Sequence, residues 1–389
     1  MRILLLFSGV ILVVMMVVGA IWLTQRQDSA VQSTLVLAPY AAQTASTDQF
    51  ARATGPVPLQ FPEDFGPHPD YQTEWWYYTG NLAAPEGRHF GYQLTFFRRA
   101  LGAPGDLDSR QSDWSTNQAY MAHFALTDVA GGKHSSFEKL SRGAAGLAGA
   151  QAEPYRVWLE DWSVEETTPG EYRLIAAQDG LSLDLRLKDL KGPILQGDQG
   201  YSRKGPEPGN ASYYYSQTRL KTDGTVSVAG RDYPVQGLSW KDHEYSTSAL
   251  SPGQVGWDWF SVQLDDEHEL MLFQLRQEDG SIDPFSSGTL VYPDGSTRTL
   301  GKDDFSIRVE DRWKSPVSGG VYPSRWVVEI PSESLTLEIT PYLADQEMDV
   351  SYNYWEGAVK VSGQRLEQPV SGKGYVELTG YADSMSGEF

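Results

Sequence analysis

One heptapeptide carries the densest set of proton-handling groups in the chain: Trp240-Lys241-Asp242-His243-Glu244-Tyr245-Ser246. An imidazole between two carboxylates, with a phenol two positions on, is general acid–base material. On a strand, successive side chains point to opposite faces. His243 therefore shares a face with Tyr245, and Asp242 shares the other with Glu244. A ligand triad from this segment alone has poor geometry, and the imidazole beside the phenol is the better pairing. The structural alternative is a histidine satisfied by hydrogen bonds at a seam between domains. His123 lies in the apolar run Tyr120–Leu126 and reads as a core or pore-facing histidine, and His68 lies in a Pro-flanked loop. Glu74 and Glu356 each adjoin a tryptophan. Each is either a buried acid paired with Arg or an acid in an apolar pocket.

The absences narrow the chemistry. Six His, no Cys and no His-x-His or His-Glu-x-x-His pattern give no expectation of a metal site, and no cofactor motif is present. There is no Gly-x-Ser-x-Gly elbow, which disfavours an ordinary serine hydrolase. A net charge of −20 argues against a nucleic-acid partner.

The elements that must position these groups are strands. Aromatic residues make up 12% of the chain, with 38 Gly and 22 Pro, a composition of short strands and many turns. Leu181–Leu187 and Leu335–Ile339 alternate apolar and polar residues, as half-buried strands do. Asp-Gly pairs at 179–180, 223–224 and 294–295 mark hairpins. Two aromatic tracts echo each other: Glu74–Leu82 with Trp75, Trp76, Tyr77 and Tyr78, and Gly256–Leu264 with Trp257 and Trp259. Trp75 and Trp257, like Leu82 and Leu264, are 182 residues apart. A repeat of that length predicts two copies of one β-unit, each a barrel that closes on itself and so removes its edges. In such units a tryptophan more commonly closes the core than faces a ligand.

Residues Ile3–Leu23 contain no charge. As a helix they measure about 32 Å, enough to cross a bilayer core of about 30 Å. Trp22-Leu23-Thr24-Gln25-Arg26 is a poor cleavage site, so an uncleaved anchor is expected over a signal peptide. The expected organisation is an anchor over 1–25 and a flexible linker over 26–59. Barrel domains follow over 60–247 and 248–389.

Several ordered motifs resemble those of the AttH/carotenoid 1,2-hydratase (CrtC) family. They are Phe61–Asp64, His68–Gly80, Trp240–Glu244, Gly256–Trp259, Tyr354–Gly357 and Gly374–Tyr381. The resemblance implies an all-β fold of two lipocalin-like antiparallel barrels in tandem. It also implies acid catalysis for the carotenoid branch, in which an Asp protonates carbon with help from His, Trp and Tyr. The family His matches His243, and the Trp two residues on falls on Tyr245. The strand expected to bring the Tyr and Asp, Leu270–Arg276, contains neither. Glu244 or Asp258 would then supply the acid.

The leading expectation is a membrane-tethered protein facing the periplasm, or secreted if its leader is cleaved. It would bind a lipid, isoprenoid or polyketide-like molecule in an aromatic cavity near the domain seam. Trp75, Trp76, His123, His243, Tyr245, Trp257 and Trp259 would line that cavity. The alternatives are a hydratase or isomerase using His243, Glu244 and Asp258, or a non-catalytic partner of an ABC-type permease.

Overall fold

The structure is a computed structural model that describes residues 47–102, 112, 114–248 and 250–385. The expected anchor and residues 26–46 of the linker lie outside the described residues. Among the described residues no helix is long and apolar enough to cross a membrane. Helical structure there is confined to 3-10 turns at Thr47–Gln49, Glu63–Phe65, Lys302–Asp304 and Pro331–Glu333. Within residues 50–59, part of the expected linker, individual residues pack on the body. Phe50 and Ala53 are buried, and Tyr213 donates a hydrogen bond to the Gly55 carbonyl at 2.9 Å.

The remaining regular structure is antiparallel sheet, in two copies. The first sheet has 13 strands between Thr73 and Ser246, and the second has 10 between Gln254 and Leu378. Strand Thr73–Ala83 pairs with the next strand, His89–Ala100, and with the last strand of its sheet, Arg231–Ser246. Strand Gln254–Leu264 does the same with Glu269–Gln277 and Gln368–Leu378. The matched tracts are therefore the opening strands of two like-connected units.

Each sheet curls around its own core. In the first, Phe124 meets Trp162 edge-on at 5.6 Å across the interior. In the second, Phe260 and Trp355 flank Trp326 at 5.6 and 6.3 Å. Rings of this size occupy much of a small barrel's interior, each removing about 150–250 Å² from water.

The outer faces of the two sheets meet over a third apolar cluster that includes Tyr77, Trp240, Trp259, Met271 and Ala358. The duplication shows here as reciprocity. Asn81 Nδ2 donates to the Gly374 carbonyl of the second sheet at 2.8 Å, and Gln263 Nε2 donates to the Ser239 carbonyl of the first at 3.0 Å. Asn81 and Gln263 are 182 residues apart, the period of the tracts. A register shift between Gln217 and Leu220 frees two side chains for the seam, as bulges do. Thr218 and Arg219 both reach the buried carboxylate of Glu269, which Lys191 also contacts at 2.8 Å.

At Gly91 the sheets approach too closely for a side chain. A Cβ there would lie 2.4 Å from the Cβ of Ala358. Gly91→Val should therefore wedge the barrels apart and lower stability by about 1–3 kcal/mol, read from the urea midpoint. An unchanged midpoint would mean that the seam yields freely.

Candidate active site between the two barrels

Strand Arg231–Ser246 sorts the central heptapeptide as its alternation requires. Lys241, His243 and Tyr245 point into the first barrel. Asp242, Glu244 and Ser246 line a cavity of about 140 Å³ between the sheets. Engineered protein cavities of about this size hold a benzene-sized group. From the first sheet, Trp75 and Tyr77 face the cavity. From the second, Trp257, Trp259, Glu356 and Glu377 do so. The aromatic tracts thus form opposite walls, with Tyr77 edge-on to Trp259 at 5.1 Å. Trp75 and Trp257 are half-buried, while Tyr77, Trp259 and Glu356 are buried.

Two of the cavity acids are equivalents in the duplicated fold. Asp242 lies opposite Tyr77 across the strand pair, and Glu377 lies opposite Trp259. Tyr77 and Trp259 are again 182 residues apart. Each barrel therefore sends one acid into the cavity from the same place on its last strand. Asp242 accepts hydrogen bonds from Trp240 Nε1 at 2.7 Å, Tyr214 Oη at 2.8 Å and Ser216 Oγ. Trp259 Nε1 donates in turn to Tyr214 Oη at 3.1 Å. Glu377, half-buried, accepts from Trp257 Nε1 at 3.1 Å. Glu356 sits directly opposite Glu377 on the neighbouring strand and accepts from Tyr77 Oη at 2.9 Å.

Withdrawal from water dominates the electrostatics. It carries Asp242 up to about 7, against the three hydrogen bonds and with help from Glu244. It carries Glu377 up to about 7, with the charges of Asp242 and Glu244 adding. Glu356 is pushed well above the carboxylate range by burial and then by Glu377. Two carboxyls opposed across a strand pair cannot both ionise cheaply, so they titrate as a pair.

A pH signature follows. Folded Asp242 holds its proton between its unfolded value, near 4, and about 7, so its share of stability falls as pH rises through that window. Relative to Asp242→Asn, the wild type should lose stability between pH 4 and pH 7 and nothing further above it. Urea midpoints at pH 4.5, 6 and 8 check this, and parallel profiles would count against the assignment.

The remaining residues singled out by sequence lie elsewhere. His243 faces the first barrel, stacks on Trp76 at 4.8 Å, and bonds to Glu74 Oε1 and Tyr215 Oη at 2.8 Å each. Burial, opposed by Glu74, lowers it to about 4. Trp76 is buried beside it and donates to the Phe65 carbonyl. Tyr245 stacks on His68 at 3.5 Å. His123 joins Tyr354 and Glu138 at 2.7 and 3.1 Å. Asp258 is paired with Arg276 at 2.9 Å and with Tyr381. Of the expected set, Trp75, Glu244, Trp257 and Trp259 share the cavity. Trp76, His123, His243, Tyr245 and Asp258 do not line it.

Asp242 and Glu377 are cavity acids outside the set expected from sequence. The signal for Asp242 was the alternation itself, which set it on the face opposite His243. The two glutamates beside tryptophan take one alternative each. Glu356 is the acid in an apolar pocket, and Glu74 is the acid paired with Arg.

Glu74 also heads the one group with metal-ligand spacing among the described residues. His68 Nδ1, Glu74 Oε1 and His243 Nε2 lie within 4.8 Å of one another. The group already holds its own cations. Arg98 Nε lies 2.7 Å from Glu74 Oε2, and His68 lies between Glu74 and Asp64 at 2.8 Å each with its pKa raised. The two imidazole–Glu74 contacts are hydrogen-bond separations, and the arrangement is a closed ionic knot tying the 61–72 segment to the sheet.

The AttH-like family model matches residues 52–381. The chain belongs to the AttH-like family. The crystal structure of a protein from Nitrosomonas europaea assigned to AttH is 37% identical. It aligns over 85% of this chain and 100% of its own, with a TM-score of 0.75. Kievitone hydratase from Nectria haematococca is 14% identical over 88% of this chain and 97% of its own, with a TM-score of 0.64. CghA, solved with Sch210972, is 12% identical over 86% of this chain and 97% of its own, with a TM-score of 0.50. At these last two identities the likeness is one of fold. The comparison with curated proteins gives no match. Among AttH-like proteins this chain thus has the tandem lipocalin-like architecture that its motifs implied.

Proposed function

We propose that this AttH-like protein binds a compact hydrophobic group between its barrels and acts on a double bond of that group by acid catalysis, as a hydratase or isomerase. The observation that carries the reading is the pair Asp242 and Glu377. They face one aromatic cavity from equivalent positions, with pKa values near neutrality and only neutral hydrogen-bond donors. An acid with a pKa close to the working pH is the efficient proton donor.

The environments separate the roles. Asp242 is held by three donors, an arrangement made for the carboxylate, and serves as base. Glu377 has one donor, and Glu356 opposite it keeps a proton in the pair, so it serves as acid. Glu377 gives its proton to one alkene carbon. Ionised Asp242 takes a proton from the water whose oxygen bonds to the other carbon, which completes addition of H₂O. Where no water enters, Asp242 takes a proton from the neighbouring carbon instead, and the double bond moves. At about 140 Å³ the cavity takes the reacting end of a larger molecule, with the remainder passing the half-buried rim at Trp75, Leu250 and Tyr352.

The test is incubation of isoprenoid and polyketide-type alkenes with the purified protein in D₂O, followed by mass spectrometry. Gain of D₂O or of deuterium, dependent on Glu377, is expected. Lipids that co-purify with the protein and return unchanged across the panel would make it a binding protein instead.

A further inference from the structure

The cavity contains more acid than its proposed chemistry requires, and its walls suit a positive charge. Asp242, Glu244, Glu356 and Glu377 all face it, against Lys204 alone as a basic lining residue. The hydrogen-bond donors on Asp242, Glu356 and Glu377 are hydroxyl and indole groups, none of them a cation. The indole of Trp259 and the phenols of Tyr77 and Tyr214 present π faces and edges in the same space. The protein already holds one ammonium on this wall. Lys204 Nζ lies 4.1 Å from the ring centroid of Phe273 and 5.4 Å from that of Tyr214, and it is 3.1 Å from Glu244. That is the aromatic-plus-carboxylate mode by which organic cations are recognised.

We infer that the cavity is a receptor for a compact organic cation, a small-ring tertiary or quaternary ammonium, and prefers it to the neutral hydrocarbon of the same shape. This deepens the proposed function and rests on the same site. A wall that holds an ammonium also steadies positive charge developing on an alkene after proton transfer from Glu377. Binding is linked to protons. A cation favours ionised carboxyls, so its arrival drives protons off Glu377, Glu356 and Asp242, and its affinity rises with pH through about 7. Glu244, Lys204 and the phenols of Tyr77, Tyr214, Tyr352, Tyr354 and Tyr375 are the other titratable groups around these acids.

The probes are N,N-dimethylpiperidinium, permanently charged, and 1,1-dimethylcyclohexane, its neutral counterpart. Binding to the whole protein is read by tryptophan fluorescence and calorimetry at pH 5.5 and 8. The ammonium should bind about ten-fold or more tighter than the hydrocarbon at pH 8, lose about ten-fold at pH 5.5, and release protons at pH 6.5 in buffers of different ionisation enthalpy. Glu356→Gln/Glu377→Gln, neutral at every pH, should remove the glutamates' share of that pH dependence and leave only the share of Asp242. Trp259→Leu should weaken the ammonium more than the hydrocarbon. Equal or weaker binding of the ammonium at pH 8, or binding without proton release, overturns the inference. If Glu377-dependent alkene turnover is found while the ammonium gains nothing over the hydrocarbon, catalysis stands and this inference falls. Tight ammonium binding by a protein that alters no alkene does the reverse.

Discussion

Glu377→Gln should fold normally and lower alkene turnover by about 10²- to 10⁴-fold, the range carried by a positioned proton donor. Glutamine has the shape of a protonated glutamate and can still accept the hydrogen bond from Trp257. It has no acidic proton to give. Turnover of the variant should also lose the alkaline fall near pH 7 that deprotonation of the acid imposes on the wild type. Asp258→Asn is the control. Asp258 is an equally suggestive acid in sequence, but its partners are Arg276 and Tyr381 and it does not line the cavity. Its replacement should leave turnover per folded molecule unchanged. A Glu377→Gln protein with full turnover would remove the acid from the mechanism.

Glu74→Ala should cost about 3–5 kcal/mol of stability in urea unfolding, the penalty for leaving buried charge without its partner. Glu74 is fully buried and takes hydrogen bonds from Arg98 Nε, His243 Nε2, His68 Nδ1 and the His68 backbone N–H. Without it, the partners left to Arg98 among the described residues are Gln118 and two backbone carbonyls, for a guanidinium that is 1% exposed. The double variant Glu74→Leu/Arg98→Met removes both charges and should recover most of the loss. The pH profile carries a second signature. His68 has a raised pKa, so its contribution is complete below the unfolded histidine value of about 6.5 and is lost as pH rises through the folded value. Glu74→Ala should flatten that part of the profile. A loss below about 1 kcal/mol would show the knot to be dispensable.

These predictions divide the heptapeptide in two. Its His243 face is locked to Glu74 and Tyr215, and its Asp242 face lines the cavity to which the proposed chemistry is assigned. The sequence drew attention to histidine because an unperturbed imidazole titrates near neutrality. Inside the barrel, burial lowers His243 to about 4, while withdrawal from water raises Asp242 and Glu377 into the range that histidine vacates. Residue type alone therefore does not single out the face of the strand that lines the cavity.

Local pattern determined a good deal about this protein. The 182-residue echo gave two like-connected units, alternation gave the strands, and the same alternation set Asp242 and Glu244 opposite His243 and Tyr245. Those features depend on neighbours one or two positions away, or on a repeat that survives in the sequence itself. Tertiary structure alone decided which face of Arg231–Ser246 turns into a barrel and which turns to the seam, because curl direction depends on the whole sheet. It alone sorted the two glutamates beside tryptophan, sending Glu74 to Arg98 across one strand pair and Glu356 to Glu377 across another. And it alone brought Asp242 to the same cavity as Glu377, since that meeting requires two curled sheets, each left open between its end strands, to dock by their outer faces. A pKa near neutrality arises from that enclosure and has no counterpart in the order of the residues.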